Sequence, residues 1–414
     1  MSRKGDHMKK ALRALGCALL ILCLCASALG TETAYRPLKK GASGPDVTRL
    51  KEAMYWLGYF TTLNVSDMYN ATTEERVKQL QKDNGLSATG IADEALQEMI
   101  YSGQCKRTAS APSPSPVPAQ EDEVPFFPED YPAVTDEGFL PADAKIQEFI
   151  YADKEKGVWL YLTASLAIDI RKYQDAATKN TWFECDIRNT DETPLNGFVN
   201  WNTKRSKTVS INPLRLAKRE SMVLLLSDDY FGSRQNDRKT VGIVIRGGEV
   251  ISDKTVKAGS TAFPNLDVLA LFRDGSMKAF PSNAYTAQEY LDMGVTDTFA
   301  FGPILVTEGK LGDMMTDRDY FHYREPRLAF GMIEPHHYLA IVTNGRNKST
   351  AQGVYLSWLA DRMLEKGAQE AINLDGGGTT ALIFMGERLN STGSSARELY
   401  GCISFGISEK VPKK

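Results

Sequence analysis

From Ala111 to Pro118 every second residue is proline, with only alanine, serine or valine between. Proline fixes φ and carries no N–H, so such a run joins neither a helix interior nor a sheet ladder. It is an extended, semi-rigid tether. A single continuous core therefore cannot run through the chain, and its 414 residues must fold as separate units on either side. The acidic, proline-bearing residues after the run continue it, which gives a linker over 104–144 and folded units over 35–103 and 145–408.

Composition narrows the partners. Lys and Arg number 49 against 52 Asp and Glu, a formal charge of −3. That balance gives no electrostatic reason to expect nucleic acid or an anionic membrane surface. Lys9, Lys10 and Arg13 precede an apolar run, Leu15 to Cys25, and an Ala26-Ser27-Ala28 cleavage pattern. Residues 1–30 thus read as a signal peptide, with a secreted, extracellular or wall-associated product and no stable membrane insertion after cleavage. Cys23 and Cys25 each follow a leucine, unlike a lipidated cysteine, which follows a small residue. Cleavage leaves Cys105, Cys185 and Cys402, an odd number, so no complete disulfide framework exists. Cys185 and Cys402 read as buried small hydrophobes.

In the first unit Val47, Leu50, Met54 and Leu57 follow the three-four spacing of a helix face, ended by Gly58. A second helix fits Thr73 to Asp83 and a third Asp93 to Ile100. The order G-x-x-G-x-D-V, L-G-Y-F and V-x-x-L-Q-x-x-N-G-L-x-x-x-G is carried by Gly41, Gly44, Asp46, Val47, Leu57, Gly58, Tyr59, Phe60, Val77, Gln81, Asn84, Gly85, Leu86 and Gly90. It resembles the three-helix peptidoglycan-binding-like module. Lys51 stands where that family has glutamine and Leu80 where it has phenylalanine. The resemblance implies peptidoglycan or another cell-wall glycan as partner.

The second unit reads as α+β around one mixed sheet with flanking helices. Strands are expected over Val158 to Tyr173, Trp182 to Arg188, Met222 to Leu226 and Val241 to Arg246. Gly247-Gly248 and Asp274-Gly275 mark hairpins. Helices are expected over Thr286 to Met293 and Val354 to Lys366, the latter stopped by Gly367.

Near its end the chain reads Asn373-Leu374-Asp375-Gly376-Gly377-Gly378-Thr379, between two apolar strand-like stretches. Consecutive glycines weaken strands. They also allow positive φ, bare backbone against a ligand and a nest of N–H groups for anionic oxygens. A glycine-rich bulge that merely bends the strand fits these residues equally well. Arg327 precedes an apolar strand and Arg346 follows another, and arginine is the side chain suited to a bidentate grip on phosphate. Two arginines, one carboxylate and a bare turn together suit a phosphorylated carbohydrate. The adjacent His336 and His337 point different ways with no third ligand near, and Asp313, Asp317 and Asp319 lack the spacing of a calcium loop. No metal and no cofactor is expected. Tyr320, Phe321 and Tyr323 suit either sugar stacking or anchoring of a loop.

Six motifs run in order through this unit: Asp229-Tyr230-Phe231, Gly242-Ile243-Val244-Ile245-Arg246-Gly247-Gly248, Phe301-Gly302-Pro303-Ile304-Leu305, Arg327 with its strand, Asn344-Gly345-Arg346, and Asn373 to Gly378. In them the unit resembles the phosphodiester glycosidase family. Ser227-Asp228 stand where the family has Asn-Gly, and Asn344 where it has aspartate. The resemblance implies hydrolysis of a sugar-1-phosphodiester, of the N-acetylglucosamine-1-phosphodiester kind, at the anomeric carbon–oxygen bond. It implies Arg327 and Arg346 as clamps on the leaving phosphate, Asp375 as first carboxylate and Asp228 or Asp229 as second. Asn373, Gly376, Gly377, Gly378, Thr379, Asn344 and Gly345 would bind substrate. The alternative is a non-catalytic protein that holds a phosphoglycan in the same cleft.

Overall fold

The structure is a computed structural model that describes residues 35–60, 67–101, 104–106, 108, 126–202, 207–229, 242–254, 266–282, 284–312 and 323–413. The expected signal segment, the proline run, Tyr230, Phe231, Val241, Asp313, Asp317, Asp319, Tyr320 and Phe321 lie outside these residues. The chain divides into two compact units, one within Met1–Lys40 and Ala71–Lys106, the other within Gly41–Asn70 and Arg107–Lys414.

In the smaller unit, helix Ala71–Asp83 buries Thr73, Val77, Leu80 and Gln81, the three-four spacing read from the sequence. Gln81 is a structural residue. Its Nε2 donates to Thr89 Oγ1 and Ile91 O, both at 2.9 Å, and its Oε1 accepts from Gly90 N at 2.9 Å. One buried amide thus closes the turn that leads to helix Glu94–Tyr101. Helix Pro45–Trp56 groups with the larger unit.

The larger unit is α+β, and its strands divide among several sheets rather than one. Every described ladder is antiparallel. The largest sheet has nine strands, in the spatial order Phe149–Asp153, Val158–Leu162, Leu166–Asp175, Asn180–Asn189, His337–Thr343, Leu328–Glu334, Glu370–Leu374, Ile304–Thr307 and Lys310–Leu311. The stretch expected as one strand over 158–173 is a hairpin. The Thr163 hydroxyl accepts from the amides of Ser165 and Leu166 at 3.2 and 2.9 Å, a local bond that competes with extended backbone. A second sheet has five strands, Glu387–Arg388, Leu382–Phe384, Met222–Leu226, Gly401–Ile407 and Asn196–Val199. A third pairs Met277–Phe280, Asp267–Phe272 and Val295–Phe301.

Alternation along the strands decides which face each residue serves. Leu328, Phe330 and Met332 join Ile168, Phe183, Leu224, Leu226 and Phe405 in the main core. Ala329 points the other way, into a cluster with Leu339, Ile341, Leu359 and Met363 under helix Leu356–Glu365. Each such side chain contributes about 1.5–3 kcal/mol when fully buried. This packing fixes the register, because a one-residue slip would exchange the two faces. The register then sets the site. Leu328 lies opposite both Val342 and Leu374, so Arg327, Thr343 and Asp375 stand one step past the same sheet edge.

Candidate active site

Arg327 is fully buried at this edge. Its backbone N–H donates to Thr343 Oγ1 at 2.9 Å and its Nη2 to Tyr323 O at 3.0 Å. Asp375, 6% exposed, donates its own N–H to Asp228 O at 3.1 Å. That bond ties the end of strand Glu370–Leu374 to the end of Met222–Leu226, so the site forms where two sheets meet.

The three glycines beyond Asp375 each lie against a different arginine. A Cβ on Gly376 would stand 2.8 Å from Pro326 O and 3.6 Å from Arg327 Cδ. One on Gly377 would stand 2.8 Å from Arg346 Nη2, and one on Gly378 would stand 3.5 Å from Arg397 Nη2. Gly377 also has φ +62°, a left-handed conformation that costs glycine nothing. At Gly377 the missing Cβ leaves room for a guanidinium, at Gly376 for the Pro326 carbonyl, and at Gly378 the contact would be ordinary. Two of the turn's N–H groups are turned inward, Gly377 N to Pro326 O at 2.7 Å and Thr379 N to Gly376 O at 3.2 Å.

Arg346 approaches from the loop after His337–Thr343 with φ +62°, an uncommon conformation for a residue with a side chain. Its Nε donates to Glu325 Oε2 at 2.7 Å. Arg397 approaches from the segment ahead of strand Gly401–Ile407. Its Nη1 donates to Thr379 Oγ1 at 2.9 Å and its N–H to Gly378 O at 3.3 Å. The buried turn thus has Arg327, Arg346 and Arg397 beside it, the side-chain type that grips phosphate oxygens in pairs.

Sequence reasoning singled out neither Arg397 nor Glu325. Arg397 sits in a serine-rich loop without periodicity; the bridge between Ile211 and Leu399 and its own bonds to Gly378 and Thr379 hold it at the turn. Glu325 had one available signal, its place beside Pro326 and Arg327.

Other residues singled out from the sequence have structural partners of their own. Asn373 is fully buried, and its Nδ2 donates to Gly302 O at 2.8 Å. The Asn344 Oδ1 accepts from Ser391 N at 2.7 Å, and Gly345 N donates to Ser391 O at 3.2 Å. A Cβ on Gly345 would stand 2.6 Å from the Pro326 ring. Ser227 Oγ accepts from Ala381 N at 3.1 Å. Asp228 and Asp229 are buried against Arg246, whose Nη2 lies 3.1 Å from Asp228 Oδ2 and closer still to Asp229 Oδ2. Asp229 Oδ1 also accepts from Ala300 N at 2.5 Å. Burial pulls the Arg246 guanidinium down, but Asp229 and Asp228 outweigh it, so it is held above its ordinary value and stays charged. His337 Nε2 lies 2.8 Å from Asp186 Oδ2, on the sheet. No group of three metal-ligating side chains occurs among the described residues.

The phosphodiester glycosidase family model matches residues 221–405, a range that holds Arg327, Arg346, Asp375, the three glycines and Arg397. The chain carries a phosphodiester glycosidase domain. The domain's family is one of hydrolases. A second family model, “Putative peptidoglycan binding domain”, matches residues 43–100. Over 180 residues the chain is 26% identical to the SPbeta prophage-derived uncharacterized protein YomE of Bacillus subtilis (strain 168). That stretch is 43% of this chain and 27% of YomE, so the chain spans about a quarter of the relative. Among solved structures, the catalytic domain of zebrafish N-acetylglucosamine-1-phosphodiester alpha-N-acetylglucosaminidase, auto-inhibited by its pro-peptide, shares 13% identity at a TM-score of 0.47. The likeness covers 59% of this chain and 84% of that one. A hypothetical protein from Synechocystis shares 12% identity at a TM-score of 0.43, covering 59% of this chain and 63% of its own.

Proposed function

We propose that the chain is a secreted, cell-wall-associated hydrolase that cleaves a sugar-1-phosphodiester in a glycan or wall polymer. The observation that supports this most directly is the convergence of Arg327, Arg346 and Arg397 on Gly376, Gly377 and Gly378. In the reaction a water oxygen bonds to the anomeric carbon. The bond from that carbon to the phosphate oxygen breaks, and its electron pair leaves with the phosphate. A phosphomonoester is a weak base, so stabilising its growing charge matters more than protonating it. Fixed guanidinium groups do this without reorganising. Asp375, adjoining the turn, is assigned to the oxocarbenium-like sugar, as nucleophile, base or electrostatic partner. Asp228 and Asp229, held by Arg246, form the buried floor that fixes the Asp375 backbone. The helical module and the proline tether would keep the hydrolase near peptidoglycan while it searches.

The test is incubation of the purified chain with a panel of glycosyl-phosphodiesters, with products identified by mass. Free sugar and phosphomonoester are expected, and Asp375→Ala should abolish their release. Wild-type turnover in that variant would remove Asp375 from catalysis. Binding of the diesters without any release would make the chain a phosphoglycan-binding protein instead.

A further inference from the structure

Glu325 meets the arginines through Arg346, the pair being partly exposed. Its carboxylate accepts from Arg346 Nε at 2.7 Å with 26% of the side chain exposed, against 40% for Arg346. The backbone beneath it is fixed. Glu325 N donates to Val354 O at 3.3 Å and Glu325 O accepts from Val354 N at 3.1 Å. The preceding residue, Arg324, donates to Gly353 O and Gln352 Oε1, both at 2.8 Å, to Thr178 O at 2.6 Å and to Asn180 Oδ1 at 2.5 Å. The carboxylate is thus a permanent neighbour of any anion that Arg346 grips. Glu325 and Asp375 stand against Arg327, Arg346 and Arg397, while Asp228 and Asp229 stand against Arg246.

A phosphodiester brings one negative charge. A phosphomonoester brings one to two, because its second proton leaves near pH 6. Cleavage of the anomeric C–O bond converts the first into the second, and the added charge appears on the oxygen that takes the bonding electrons. We propose that Glu325 is a specificity-determining residue. Its fixed charge disfavours the dianionic monoester relative to the monoanionic diester and so speeds product release. The proposal rests on the reading of the cleft given above. Repulsion between Glu325 and one extra charge, partly screened at this exposed position, is worth roughly a tenfold change in relative affinity.

Glu325→Gln keeps an oxygen for Arg346 Nε and removes only the charge, whereas Glu325→Asp keeps the charge. The full chain and both variants are titrated by calorimetry with methyl phosphate, the monoester that cleavage of a hexose 1-phosphate methyl diester releases, and with an uncleavable monoanionic analogue of that diester in which CH2 replaces the anomeric oxygen, at pH 8 and pH 5. The ratio of diester to monoester affinity should fall about tenfold in Glu325→Gln at pH 8 and by less than about twofold at pH 5, where the monoester is a monoanion. Glu325→Asp should keep the wild-type ratio. An unchanged ratio in Glu325→Gln at pH 8, or an equal shift at both pH values, overturns the role of Glu325 while leaving the cleft assignment intact. Failure of wild-type chain to bind either compound overturns both.

Discussion

If the glycines answer to close approaches, alanine should be tolerated unequally along the turn. At Gly376 the added Cβ meets Pro326 O at 2.8 Å. That oxygen cannot yield, because it accepts from Gly377 N at 2.7 Å and the Pro326 ring is packed against Gly345. The clash must displace Pro326 and with it Arg327. Overpacking of this kind costs about 1–3 kcal/mol. For a domain of this size each kcal/mol lowers the melting temperature by roughly 2–4 °C. Gly377→Ala forces φ +62° on a side-chain-bearing residue, which costs about 1–2 kcal/mol, and pushes Arg346 Nη2 aside. The guanidinium is a flexible end, so the larger loss there should be in anion binding. Gly378→Ala places its Cβ at an ordinary 3.5 Å from Arg397. Reduced freedom of the unfolded chain then makes that variant neutral or slightly more stable. Thermal melts followed by circular dichroism, with and without phosphate, read both effects. A Gly378→Ala variant that melts as low as Gly376→Ala, or a Gly376→Ala variant that melts with wild type, would refute the steric account.

Arg397 is exposed, so Arg397→Ala should leave stability within about 0.5 kcal/mol while sugar release falls on the order of a hundredfold. Arg327→Ala, at a fully buried position, should lose activity and stability together. Burial pushes the Cys185 and Cys402 thiols well above their usual value and raises Cys105 as well. Ellman's reagent at pH 8 should therefore find these three unreactive in the folded chain and reactive after denaturation, and labelling of native Cys185 or Cys402 would count against their burial. Burial also lifts the Asp297 carboxyl, with Arg246 opposing. The folded chain then holds a proton that the unfolded chain has lost, so this contribution to stability is greatest below the ordinary aspartate pKa and falls as pH rises through the raised one. Asp297→Asn should flatten that part of the stability–pH curve, and an unchanged slope would assign the dependence elsewhere.

Much of this fold was legible because periodicity and turn chemistry are local. Met222–Leu226 is the strand its five apolar residues predict, and Thr286 caps its helix with the reciprocal Glu289 bonds of a capping box. The hairpin at Thr163 was hidden because apolar residues run up to a turn that contains neither glycine nor proline, and the threonine hydroxyl marks it. The partition into several sheets was hidden because strand pairing is a long-range choice. In the site, Arg327, Arg346 and Asp375 were readable as polar residues at the ends of apolar strands. Arg397 was not, since nothing near it in sequence ties it to the turn. The pairing of Asp228 and Asp229 with Arg246 was not readable, because Arg246 arrives from another hairpin.

The arrangement of the three arginines also explains why the site belongs to the whole domain rather than to a motif. Arg327 is placed by the ladder that pairs Leu328 with Leu374, Arg346 by the neighbouring ladder and its loop, and Arg397 by the lead-in to the second sheet. Like charges do not gather unaided. The apolar contacts of Leu328, Phe330, Leu224, Leu226 and Phe405 hold the two sheets together against that repulsion. Asp375 sits at the junction because Asp228 O fixes its amide from the other sheet. An anion in the cleft offsets the repulsion the core otherwise opposes, so binding and fold draw on the same set of contacts. The turn lies beside all three arginines, and its glycines answer to two close approaches, the Pro326 carbonyl at Gly376 and the Arg346 guanidinium at Gly377.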